Sequence, residues 1–205
     1  MRDAPWAVQA AAEQFWSVFV ARVAPLRPGF EASPRSIFDA VEQALQGAGF
    51  DLAFDLTADT DSTVLLIFTP EGDAEAARVV DALVARAPAL PGWRVLGRRP
   101  RARSWSDALT LVGTIAEVDL GDARFWMSPP SSGGGIHLAM VAAALGDFEP
   151  EGARAVAMLT LHHLLGEAFV MQAVREVTAA ATEQDGREYM SAEQLVRTLC
   201  SPDEV

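Results

Sequence analysis

The spacing of the apolar residues changes along the chain, and those changes constrain the fold more than any motif. Phe15, Trp16, Phe19 and Val23 recur at intervals of three and four, which predicts an amphipathic helix over residues 7–25. Pro25 and Pro28 close it. Ser33-Pro34 opens a second helix, with Ser as N-cap and Pro at the first helical position. Its apolar face is Ile37, Phe38, Val41, Ala44 and Leu45. The period then shortens to two: Leu52, Phe54 and Leu56 alternate with Asp51, Ala53 and Asp55, as in a half-buried strand. Residues 63–68 form a more fully apolar strand. The turn-forming run Ala58 to Ser62 between them predicts a hairpin.

Helical spacing returns after Asp73, a candidate N-cap, with Ala76, Val79, Val80, Leu83 and Val84 on one face. Trp93–Leu96 reads as a strand. Residues 108–115 fit a helix or a strand equally. Arg124–Met127 and Ile136–Met140 read as a second hairpin around Ser131-Ser132-Gly133-Gly134-Gly135. Pro150 opens a helix to about Leu165, where Gly166 ends it. Residues 170–177 fit a closing strand or a continued helix. Ser191 starts a last short helix with Leu195, Val196 and Leu199. Hairpins interspersed with helices predict an α+β fold: a mostly antiparallel sheet with helices packed on one face, plus two N-terminal helices. The expectation is one domain over 1–205, with a helical segment 1–48 and a sheet-containing core 50–180. No sequence repeat is visible.

A chain of 205 residues, half of them apolar, buries about 70 % of its unfolded surface as one domain and needs no covalent staple. A single cysteine, Cys200, excludes an intrachain disulfide and a CxxC site. It fits a reducing compartment, and the expected location is cytoplasmic. The start Met1 to Trp6 lacks the basic and apolar regions of a signal peptide. No 18-residue apolar run is free of charge, so no membrane span is expected. The net charge is −12, from 28 acidic and 16 basic residues. Such a chain is a poor candidate for nucleic-acid binding unless its basic residues are clustered. All 16 basic residues are arginine, and lysine and asparagine are absent. This bias matches a high-GC bacterial genome.

Three stretches carry a resemblance: Phe68-Thr-Pro-Glu-Gly72, Val84-Ala-Arg-Ala-Pro-Ala-Leu-Pro-Gly-Trp93 leading to Arg98-Arg-Pro-Arg101, and His163-Leu-Leu-Gly-Glu167. Over about residues 50–175 the chain resembles a group of uncharacterised bacterial cytoplasmic α+β proteins. The resemblance implies a compact α+β bacterial protein and carries no activity, cofactor or catalytic residue.

The first candidate site is an arginine cluster. Arg94, Arg98, Arg99, Arg101 and Arg103 fall within ten positions of an acidic chain. Guanidinium groups suit bidentate capture of carboxylate or phosphate. On one strand, Arg99 and Arg101 would share a face opposite Arg98. Trp93 and Trp105 flank the cluster as stacking surfaces. The competing reading is a solvated sheet edge whose arginines discourage pairing. The second candidate is a two-His-one-carboxylate metal set, His137, His163 and Glu167, with His163 and Glu167 four apart on a helix. Its competitor is a structural histidine near a helix C-terminus. The glycine run 133–135 lacks the lysine of a phosphate loop, Cys200 lacks a nearby base, and Ser104, Ser106, Ser131 and Ser132 lack a nucleophile elbow. Asp59 with Asp61 and Asp119 with Asp122 read as turn-capping acids.

No cofactor is therefore expected. The functional expectation is a non-enzymatic binding protein for a protein partner or small anionic ligand, in one version an immunity-type protein steered by its acidity to a basic toxin. The alternatives are a metal-dependent hydrolase or oxygenase using the His137/His163/Glu167 set, and a structural homodimer with residues 1–48 forming the interface. The aromatic face Phe15-Trp16-Phe19 reads as core packing, with a protein–protein contact as the competing reading.

Overall fold

The computed structural model describes residues 5–29, 33–58, 63–128 and 135–200. The expected turns at Asp59/Asp61 and Ser131 to Gly134 lie outside them. The fold is α+β. The chain divides into two compact units, Met1–Arg98 and Arg99–Val205, each with its own apolar cluster. The boundary between the units falls after Arg98, so the helical segment 1–48 and the first three strands stand in one unit. The physical reason is that the N-terminal helices close the core of the first three strands.

In the first unit, α1 (Pro5–Val18) runs into a π-helical turn, Phe19–Val23, and a 3-10 turn, Ala24–Gly29. Pro25 is therefore absorbed in the tighter turn rather than ending the helical path. Next is α2 (Pro34–Gly47), which starts where expected. The side chain of Ser33 makes no capping bond, however; the hydroxyl of Ser36 donates to the Ser33 carbonyl at 2.8 Å. Strands β1 (Ala53–Ala58) and β2 (Val64–Thr69) pair antiparallel, with Phe54 opposite Phe68. Then α3 (Ala74–Val84) crosses to β3 (Trp93–Leu96), which lies parallel to β2. The expected cap at Asp73 is present: one carboxylate oxygen accepts from the amides of Glu75 and Ala76, both at 2.7 Å.

The aromatic face of α1 is the centre of this core. Phe15, Trp16 and Phe19 are buried with Phe68, Leu66, Val80, Leu83 and Trp93. Phe15 meets the edges of Trp16 and Phe68 at centroid distances of 4.8 and 5.7 Å, and Phe19 meets Trp93 at 5.0 Å. The indole of Trp16 donates to the carbonyl of Leu83 at 2.8 Å, so its polar edge is satisfied where it is buried. The face is thus core packing and is not exposed as a protein–protein contact.

The second unit begins with α4 (Trp105–Ala116), which resolves the ambiguity over 108–115 in favour of helix. Strands β4 (Arg124–Met127) and β5 (Ile136–Val141) form the expected antiparallel pair. Helix α5 (Pro150–Leu165) ends at Gly166, and α6 (Glu167–Ala173) leads into β6 (Val174–Ala180), parallel to β5. The stretch read as helix or strand is one and then the other. The two-residue β7 (Met190–Ser191) pairs with β4 and opens α7 (Ala192–Leu199), where Ser191 and Gln194 form a reciprocal capping box.

The sheets are therefore two and mixed, ordered β1-β2-β3 and β6-β5-β4-β7, rather than one mostly antiparallel sheet. The period-two pattern locates strands but carries nothing about direction. Direction follows from the helices α3 and α5–α6, which return the chain to the same end of the sheet before the next strand. Both units thread helix, strand, strand, helix, strand, with a hairpin followed by a parallel crossover.

Truncating the core aromatics should show how much each cluster supports. Phe15→Ala in the first unit and Phe125→Ala in the second, both wholly buried, are each expected to cost about 3–5 kcal/mol in urea unfolding. A loss below about 1 kcal/mol for either would mean that its cluster is not the unit's core.

Candidate functional site

The arginine cluster does not lie on one strand. β3 ends at Leu96, and the division between units falls inside the cluster, after Arg98. Arg94 is exposed on β3. Arg98 pairs with Asp81 at 3.1 Å and donates to the carbonyl of Gly97. Trp93 is 8 % exposed, and its indole donates to the carbonyl of Ala24 at 3.4 Å. It is a core residue and presents no stacking face. Arg99, Arg101 and Arg103 belong to the second unit, in an extended segment ahead of α4.

That segment is fastened to the corner between α5 and α6. Glu167 is fully buried, and its carboxylate accepts from the amide of Arg99 at 3.0 Å. In return the Glu167 amide donates to the Arg99 carbonyl at 3.0 Å, and the Ala102 amide to the His163 carbonyl at 2.8 Å. Gly166 makes the corner with φ 85° and ψ 137°, a conformation open essentially to glycine alone. The side chain of Arg99, 9 % exposed, and that of His162, 2 % exposed, complete a buried polar cluster. The Nε2 atom of His162 is buried with no hydrogen-bond partner among the described residues. Burial pushes the imidazole down from 6.5 to about 4; the Glu167 carboxylate acts in the opposite direction, and Arg99 and His163 add to the lowering. His162 is therefore neutral at pH 7.

Beyond this cluster the segment borders a groove of about 600 Å³. Arg101 and Arg103 stand on the segment, Arg197 on α7, and Trp105, 42 % exposed, at the start of α4. Apolar lining comes from Ala102, Leu164, Val196 and Cys200. Among the described residues one carboxylate lines the groove, Glu193, and it pairs with Arg197 at 2.7 Å. Ser104 caps α4 by accepting from the amide of Asp107 at 3.0 Å, and its hydroxyl lies 2.9 Å from that of Ser106. The groove thus joins guanidinium groups, an indole and an apolar floor. An anion with an apolar body matches that chemistry.

The proposed metal set is not assembled. No group of three or more His, Cys, Asp or Glu side chains suited to a metal ion occurs among the described residues. Glu167 is bonded to the Arg99 main chain, and His163 is half-buried on α5. His137 sits on the opposite face of its sheet from the core, with Nε2 3.1 Å from the hydroxyl of Thr178, Nδ1 3.8 Å from Glu176, and its ring against the edge of Trp126. The helical spacing failed because Gly166 breaks the helix between His163 and Glu167. Sequence reasoning did not reach the groove wall on α7. Arg197 is legible as the helical partner of Glu193, but nothing local indicates that α7 packs beside residues 101–105. No family model, curated protein or solved structure matches the chain.

The buried imidazole gives a signed pH dependence. Its folded pKa lies below its unfolded value, so the unfolded chain takes the proton first as pH falls. Stability present above pH 6.5 should fall by about 3 kcal/mol between pH 6.5 and about 4 through this group. In urea titrations His162→Leu should flatten that decline; an unchanged decline would assign it to carboxylates instead. Gly166→Ala should cost about 1–3 kcal/mol by the same measurement. A neutral result would show that the corner tolerates another conformation.

Proposed function

We propose that the protein is a non-enzymatic binding protein whose second unit holds an anion with an apolar body. The observation that carries this reading is the groove of about 600 Å³ where Arg101, Arg103 and Arg197 surround Leu164, Val196 and the exposed indole of Trp105. The arginines supply forked donors for a carboxylate or phosphate. The floor supplies the area that drives an apolar group out of water. Trp105 offers a flat face for the body of the ligand. The two arginines that border the groove on the extended segment are set in place by the buried anchor of Glu167 on Arg99, so the donors are positioned before a ligand arrives.

Calorimetry with chemically matched probes tests the reading. Decanoate and decyl phosphate are expected to bind the intact protein, and decanol and decylamine at least tenfold more weakly. The double variant Arg101→Ala/Arg103→Ala should weaken decanoate binding about tenfold or more, in keeping with charge-assisted hydrogen bonds worth about 1.5–3 kcal/mol each. Equal binding of decanol and decanoate, or an unaffected double variant, would sink the proposal. Native mass spectrometry of protein from its own host would show whether an anion of this class is retained.

A further inference from the structure

The first unit carries a groove of the opposite sign. It lies along α1, the turn from α2 into β1, and the start of α3, and encloses about 500 Å³. Val8, Phe50, Leu52 and Val79 give it an apolar lining. Asp51, Asp73 and Glu75 provide its charge, all three exposed, and no basic residue is among the described lining residues. Trp6 precedes the lining residue Ala7 on α1 and is 73 % exposed, the highest value among the described large apolar side chains. The carboxylate of Asp73 is held at the start of α3 by two backbone amides, so this charge has a fixed position.

We infer that this groove docks a basic amphipathic segment of a protein partner. An apolar side chain of the segment enters between α1 and α3, and arginines or lysines beside it meet Asp51, Asp73 and Glu75. Charge complementarity selects this occupant. An acidic segment or an anionic lipid surface would meet three like charges, and like-charge contact across an interface is strongly disfavoured. A small inorganic cation would leave the apolar lining in water. An amphipathic segment satisfies both parts of the groove, as in helix-in-groove recognition. The inference is independent of the anion groove in the second unit.

The test uses the full chain and two synthetic 14-residue amphipathic helices with the same leucine face, one with arginine and one with glutamate on its polar face. By calorimetry the arginine peptide is expected to bind, and the glutamate peptide at least tenfold more weakly. Asp51→Asn/Glu75→Gln, at exposed positions, should weaken the arginine peptide at least tenfold. Glu183→Gln/Glu188→Gln, exposed in the second unit, serves as the control for general acidity and should change it less than twofold. Val79→Ser, with folding checked by circular dichroism, should also weaken binding. Equal loss in the two acidic pairs would assign binding to overall charge and overturn the inference. So would equal affinity for the two peptides, or a self-association in sedimentation that Asp51→Asn/Glu75→Gln abolishes, which would make a second copy the occupant.

Discussion

A carboxylate that is wholly buried must find donors inside the protein, and Glu167 finds one in the main chain of Arg99. The second unit is arranged around that requirement. Glu167 reaches inward because Gly166 turns the chain at a positive φ. The amide of Glu167 answers to the carbonyl of Arg99, and the carbonyl of His163 takes the amide of Ala102. Three backbone groups on two residues of the segment, Arg99 and Ala102, are thereby fixed before the cap at Ser104 starts α4. Arg101 and Arg103 emerge where they do because the main chain on either side of Arg101 has no freedom to move them. Removing the carboxylate would leave the buried Arg99 amide without this acceptor, a loss of about 1–3 kcal/mol for an unsatisfied buried donor. The placement of Arg101 and the stability of this corner therefore rest on the same bonds.

The same threading appears in both units with different coverings. A hairpin followed by a parallel crossover leaves one face of a three-strand sheet in need of apolar cover. In the first unit that cover is aromatic, from Phe15, Trp16 and Phe19 on α1 and the π-helical turn, which meet Phe68 and Trp93 at their edges. The second unit uses aliphatic side chains of α4, α5 and α7 against Phe125, Leu138 and Met140. The other face of this sheet carries His137, Glu176 and Thr178 beside Trp126, whose ring also takes Arg187 at 4.1 Å. Mixed strand direction follows from the order of elements and not from side-chain pattern.

Much of the secondary structure was legible because it is written locally. Asp73 and Ser191 act as caps, Pro34 and Pro150 stand at first turns, Gly166 stops a helix, and a strand starts at Trp93. What was not legible depends on distant partners. The run 108–115 is apolar enough for either period, and packing decides for helix. Trp93 and Arg98 looked like ligand groups because they flank other arginines. The end of β3 and the pairing with Asp81 draw both into the first unit instead. His163 and Glu167 were placed on one helical face by counting, and a single glycine conformation separates them. The groove was half legible: its arginine segment is visible in sequence, but its α7 wall arrives from almost a hundred residues away.

Net charge and local charge act at different ranges, which is why an acidic chain can offer a cationic groove. At physiological ionic strength the field of a charge decays over about 8 Å. The overall −12 biases the approach of partners from afar, favouring basic ones. Within a groove, the side chains on its rim outweigh that bias. Among the described lining residues, Arg101, Arg103 and Arg197 stand with one carboxylate, Glu193, whereas Asp51, Asp73 and Glu75 stand with no cation among their groove's described lining residues. Grooves lined by opposite charges can thus stand on one acidic chain, each matched at contact distance to a different charge.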